Sequence, residues 1–246
     1  LVMITQQTLI IGANSEIAKA LTVQLQQNPT TGIILVSRST VQEIQVDNNQ
    51  INSVILNDYQ ESQIDKAVTE INCFNQAPIT QVIICNGILH SDGIKPEKRI
   101  EDFKAEAFNQ VMRANALTPM LWIQKLISIL SGKSPCKIVV FSARVGSISD
   151  NRLGGWYSYR ASKSALNMML KTTSIELARR DKNIKLVAFH PGTTDTPLSK
   201  PFQRNVPANK LFTCEFVAKQ LLSIISEVPF DQEASYLDWQ GKTINW

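Results

Sequence analysis

The stretch WYSYRASKSALNM, residues 156–168, puts a phenol, Tyr159, four positions before an ammonium, Lys163, in a pattern that reads as helix. Residues i and i+4 share one helical face. A free phenol titrates near ~10 and exchanges protons poorly at neutral pH. A nearby cation stabilises the phenolate and lowers that value. A phenol tuned in this way can give a proton to a carbonyl oxygen while hydride reaches the carbon, and the same lysine can bond ribose hydroxyls. Tyr157 points off that face and has no lysine at the matching spacing. A bare YxxxK match is common by chance, so the elements that position it carry the decision.

Those elements alternate. Short β-branched runs at 8–12, 32–38, 53–56, 81–87, 137–143, 185–192 and 234–238 read as strands. Helical spacing occupies 15–27, about 104–131, 157–179 and 213–226. Near-continuous apolar strands between amphipathic helices predict an α/β fold: one Rossmann-type, doubly wound, parallel seven-stranded sheet with helices on both faces, a single domain over 1–246. Ligands in such sheets bind beyond the carboxyl ends of the strands. Gly12, Arg38, Asn86, Ser142 and Pro191-Gly192 each follow a strand. The segment 116–130 is apolar around most of its circumference. One side should meet the sheet and the other a second subunit, as in a homodimer or homotetramer; the alternative is cover from a loop of the same chain.

Composition narrows the function classes. Of 246 residues 43% are hydrophobic and 19% charged, with a net charge of +4 that is spread rather than clustered, so no nucleic-acid partner is expected. Cys73, Cys85, Cys136 and Cys214 are far apart with no CxxC pair, consistent with free thiols in a reducing cytoplasm. His90 and His190 form no HExxH-type cluster, and no metal site is expected. No leader pattern opens the sequence, and the longest apolar stretch contains Gln124 and Lys125, so neither secretion nor a membrane partner is expected.

Two segments suit a nucleotide. Gly12 ends the first strand before a helix, where backbone amides and the helix N-terminus can meet a diphosphate, with hydrogen bonds from the Asn14 and Ser15 side chains. Arg38, at the end of the second strand with no acid beside it, favours a ribose 2′-phosphate, hence NADP(H) over NAD(H).

Five segments in order, GANSEIA (12–18), CNGIL (85–89), VMRANALTP (111–119), FSARVGSISDNRLGGWYSYRASKSALN (141–167) and FHPGTTDTPLSKPF (189–202), resemble the short-chain dehydrogenase/reductase family, in its C-factor-like and sniffer-like carbonyl reductase branch. The resemblance runs from about 7 to 241. It implies Tyr159 as acid–base group, Lys163 as its tuning and ribose-binding partner, and Asn115 as holder of a relay water. It implies Gly12, Asn14, Ser15, Glu16 and Ile17 as the phosphate turn, and Asn57 with Asp58 near the adenine. Asn86 and Gly87 stand for the NNAG segment, and Pro191, Gly192, Thr194 and Thr196 for the turn that bonds the nicotinamide. The phosphate turn lacks its second and third glycines, and the NNAG asparagine is displaced by one place. Ala143 stands where the family has its substrate-orienting serine, leaving Ser142 as first candidate and Ser147 as second. The implied function is an NADP(H)-dependent oxidoreductase of a small carbonyl or alcohol. The alternative is a cofactor-binding signalling or scaffold protein with little turnover. Residues 193–210 should form a lid over the substrate and 149–156 another wall.

Overall fold

The computed structural model describes residues 3–41, 50–74 and 76–246. Seven strands form one sheet: β1 (Gln6–Ile11), β2 (Thr31–Ser37), β3 (Ile51–Ile55), β4 (Ile79–Ile84), β5 (Cys136–Phe141), β6 (Ile184–His190) and, after a short ribbon, β9 (Ser235–Asp238). Their order is β3-β2-β1-β4-β5-β6-β9, and every adjacent pair is parallel. The order reverses between β1 and β4, which opens a crevice at their carboxyl ends. The ribbon pairs β7 (Thr193–Thr194) with β8 (Leu211–Phe212), and the sequence patterns do not reveal it.

Strand residues alternate between two cores, as a period of two requires. Leu9, Ile11, Leu186 and Ala188 pack under α2 (Glu61–Cys73), α4 (Thr118–Leu130) and α5 (Tyr157–Arg180). Ile10, Ile33, Val187 and Phe189 pack under α1 (Glu16–Gln26) and α6 (Cys214–Glu227). Ser15 and Thr213 cap α1 and α6 by accepting from the third backbone N–H beyond them.

Two helical expectations need correction. The helix expected over 104–131 is α3 (Ala105–Met112), a π-helical turn at Arg113–Leu117, and then α4. The residue that would close the α-helical bond to the Asn115 carbonyl is Pro119, which has no N–H to donate. The outer side of α4 meets α2 of the same chain, an element the sequence patterns missed. Lys125 lies 2.9 Å from both Glu61 and Asp65 of α2, and Trp122 packs edge-on against Tyr59 at 6.4 Å. Helix α2 thus covers part of the outer side of 116–130, while Leu117 stays exposed.

Candidate active site

Helix α5 carries the chemistry because its buried stripe changes character along its length. The first two turns bury Ser158, Tyr159, Ser162 and Lys163; later turns bury Leu166, Leu170 and Leu177. The polar half meets the carboxyl end of β5, where Lys163 donates to Phe141 O; beyond it the stripe is mainly leucine, with Asn167 and Ser174 among the buried residues. Tyr159 and Lys163 both line a cleft of about 530 Å³ at the strand tips. A second cleft of about 690 Å³ shares Asn14, Ser15, Cys85, Asn86 and Gly87 with the first, so the two form one groove across the sheet.

Most sequence-predicted residues converge on this groove. Glu16, Ile17, Ser142, Pro191, Gly192, Thr194 and Thr196 line the first part, and Gly12, Arg38, Asn57 and Asp58 the second. Asn115 sits behind it, fully buried. Its Oδ1 accepts from Ile88 N at 2.7 Å, and its Nδ2 donates to Ile88 O and Ser162 Oγ at 2.8 and 3.0 Å. It thus ties β4's loop to α5.

The pair itself departs from expectation. Lys163 Nζ lies 5.8 Å from the Tyr159 ring centroid and donates to Phe141 O at 2.9 Å. Burial pulls the ammonium down to about 8 and pushes the phenol up from its ordinary value. Burial, with the Tyr236 phenol beside it, sets the direction for Tyr159, and the Lys163 ammonium bonds the Phe141 carbonyl. At neutral pH the phenol holds its proton.

The phosphate turn is also more committed than its residue types imply. Asn14 Nδ2 donates to Ser39 O and Oγ at 3.0 and 2.9 Å, and Ser15 Oγ accepts from Ala18 N at 3.2 Å. Both side chains thus brace the loops and leave the backbone N–H groups at the start of α1 as the turn's remaining donors. Gly12 has φ +79°, and a Cβ there would lie 3.2 Å from Asn86 N. Gly192, φ +73°, leaves room for Phe212, whose ring carbon would lie 2.6 Å from a Cβ. A side chain at Gly12 would press on the Cys85–Asn86 backbone, and one at Gly192 on the Phe212 and Trp239 rings. Asn86 Oδ1 and His190 Nδ1 are buried beside it and find no hydrogen-bond partner among the described residues. Positive-φ turns that bring backbone to the groove and buried polar atoms left to be satisfied both fit a dinucleotide lying across the strand tips.

Of the two serine candidates, Ser142 lines the cleft and donates to Asn167 Oδ1 at 2.7 Å. Ser147 is buried among Ser149 and Asp150 N outside it. From 149–156 only Trp156 reaches the cleft, because Asp150 turns to pair with Arg144. The lid segment 193–210 supplies Thr193, Pro197, Leu198, Ser199, Phe202 and Val206 to its wall.

Sequence reading missed Tyr59, Phe202 and His190. Arg38 stacks over the Tyr59 ring at 5.6 Å, and Trp156 contacts Phe202 and Tyr159 at 5.1 and 6.1 Å between ring centroids. Their signal was faint: Tyr59 is a single aromatic in the loop after β3, His190 the last residue of β6, and Phe202 one aromatic within the 193–210 segment whose role no spacing marks.

A family model described as short chain dehydrogenase matches residues 6–207. C-signal of Myxococcus xanthus is 28% identical over 132 residues, 54% of this chain and 74% of that protein. The carbonyl reductase Sniffer of D. melanogaster superposes with TM-score 0.84 at 21% identity, covering 98% of this chain and 100% of the other. An NADPH-bound carbonyl reductase from chicken fatty liver gives 0.83 at 20% identity, covering 99% and 95%. The two structures share this protein's fold. With the family match extending over most of its length, the chain belongs to the short-chain dehydrogenase family of oxidoreductases.

Proposed function

We propose that this protein is an NADP(H)-dependent reductase of neutral carbonyl compounds with apolar substituents. The observation that carries it is the convergence of Tyr159, Lys163 and Ser142 on one cleft continuous with the Arg38 groove. Bound NADP(H) would supply the hydride and, once oxidised, a positive charge near the phenol. The backbone of Gly12 to Ile17 holds the diphosphate, Arg38 the 2′-phosphate, and Asn57 with Asp58 the adenine side. Asn86 and Gly87 border the middle of the groove. Pro191, Gly192, Thr194 and Thr196 hold the nicotinamide, and Lys163 holds the ribose. Ser142 orients the carbonyl, and Tyr159 Oη passes its proton to the carbonyl oxygen. Asn115 keeps Lys163's surroundings in register.

The substrate class follows from the wall. Leu89, Val145, Trp156, Leu198 and Phe202 give the cleft an apolar wall; of its two cations, Arg144 is paired with Asp150 and Asp238 at 3.0 Å each and Lys163 donates to Phe141 O. A substrate carboxylate would have to compete with Asp150 and Asp238 for Arg144, or with the assigned ribose contact for Lys163. NADPH oxidation with neutral aryl and alkyl ketones, beside 2-oxoacids of similar size, tests this. Turnover of the neutral ketones is expected, and a preference for the oxoacids would contradict it.

Arg38 sets cofactor choice. Arg38→Asp is expected to weaken NADPH by roughly a hundredfold while leaving NADH within about threefold, since an acid accepts a 2′-hydroxyl but repels a 2′-phosphate. Fluorescence titration reads both; equal affinities in the wild type would show that Arg38 does not read the phosphate.

A homodimer or homotetramer finds support on α5, where Tyr157, Met168 and Ile175 are exposed on one face, and in exposed Leu117 just before α4. Light scattering should give a multiple of 27.5 kDa at micromolar concentration, and a single 27.5 kDa species would contradict it. No described helix is long and apolar enough to cross a membrane. The free cysteines support a cytoplasmic location. The C-signal match favours a second reading, a signalling or scaffold protein that binds the cofactor and turns it over little. Tight NADPH binding without turnover of any carbonyl would select it.

A further inference from the structure

The start of α5 is held from outside the helix. Trp156, its N-cap residue, offers no side-chain bond to the first turn and sits in the left-handed region at φ 52°. Tryptophan is disfavoured there, so something must hold it. Glu97, remote in sequence and buried, does so. Its Oε2 accepts from Ser158 N at 3.2 Å, its Oε1 accepts from the Ser158 hydroxyl, and its backbone O accepts from Trp156 N at 2.5 Å. Arg160 closes the same turn by donating to Gly155 O and Gly154 O at 2.9 and 3.1 Å. A carboxylate at a helix N-terminus satisfies free amides and complements the dipole.

Ser158 directly precedes Tyr159, and Trp156 packs on the Tyr159 ring. We propose that Glu97 is a positioning residue for proton transfer: it fixes the first turn of α5, and thereby sets Tyr159 Oη and the Trp156 wall against the cleft. This rests on the reading of Tyr159 as proton donor. Glu97 touches neither substrate nor cofactor on that reading, and the nucleotide is held by other elements. Its loss should therefore separate chemistry from cofactor binding.

The test combines activity with amide hydrogen exchange in full-length protein. Glu97→Ala is expected to lower kcat by roughly tenfold or more, since small misplacements of a reacting group are costly. Exchange of the 156–160 amides should quicken, while the NADPH Kd stays within about twofold. Glu97→Gln keeps an acceptor for Ser158 N and should recover most of kcat. A kcat equal to wild type, or unchanged exchange at 156–160, would overturn the proposal, as would a parallel loss of kcat and NADPH binding. Should Glu97→Ala not fold, Ser158→Ala removes the hydroxyl arm alone. It should lower kcat and quicken exchange to a lesser degree, and wild-type values of both would count against the proposal. Tyr159→Phe runs beside them. Full turnover in that variant would remove the underlying reading and the catalytic role with it, while the exchange data would still report separately whether Glu97 holds the helix start.

Discussion

Lys163→Met is expected to remove nearly all turnover and yet raise the melting temperature of the cofactor-free protein. Lys163 is 3% exposed, and burial lowers its ammonium from 10.5 to about 8. Below pH 8 the charge is present in both folded and unfolded chains, and the folded state bears the whole desolvation cost. Between 8 and 10.5 the folded chain sheds the proton first and the cost fades. That gap corresponds to on the order of 3 kcal/mol at neutral pH. Methionine fills similar space without charge, but leaves the Phe141 carbonyl without its donor, which returns about 1–2 kcal/mol. The net gain should appear as a rise of roughly 2–6 °C at pH 7 that shrinks by pH 10. Turnover should fall by about a hundredfold or more, because ribose contact and the charge beside the phenol go together. In the wild type, turnover should also decline as pH rises through about 8, where the amine loses its proton. Thermal melts at both pH values, with kcat at pH 7, check this. A lower melting temperature, or undiminished turnover, would show that Lys163 is an ordinary structural residue.

The sequence disclosed much of this design where the determinants are local. β1, β2, β5 and β6 are apolar on both faces because both faces are covered, and their boundaries were legible to within a residue or two. The groove residues were legible for a related reason: each follows a strand end, and a parallel sheet sends strand ends to one edge. Helix α2 escaped because only Ile64, Ala67, Val68 and Ile71 are buried, in a segment otherwise polar. Missing it left the whole outer side of α4 unclaimed, although α2 covers part of it. The π-helical turn around Asn115 follows from Pro119 only once the helix is known to run through it. The aromatic wall and the grip of Glu97 on Ser158 depend on contacts between distant segments, and no periodicity encodes those. Burial likewise decided the sign of the Tyr159 shift, which spacing alone had assigned the other way.

The proton-transfer role rests on a single oxygen. Tyr159→Phe deletes that atom and keeps the ring that packs against Trp156 at 6.1 Å, so the fold and the cleft wall should be preserved. Loss of a positioned general acid typically costs about 10²–10⁴-fold. The expectation is a fall in kcat of that size with NADPH affinity unchanged, since strand tips and Arg38 hold the nucleotide. Single-turnover NADPH oxidation by a neutral aryl ketone, at matched cofactor occupancy in wild type and Tyr159→Phe, is the most direct measurement. A hydride-transfer rate lowered by two or more orders of magnitude (about a hundredfold at least) agrees with the proposed mechanism. A rate equal to wild type would mean that the proton reaches the substrate from elsewhere.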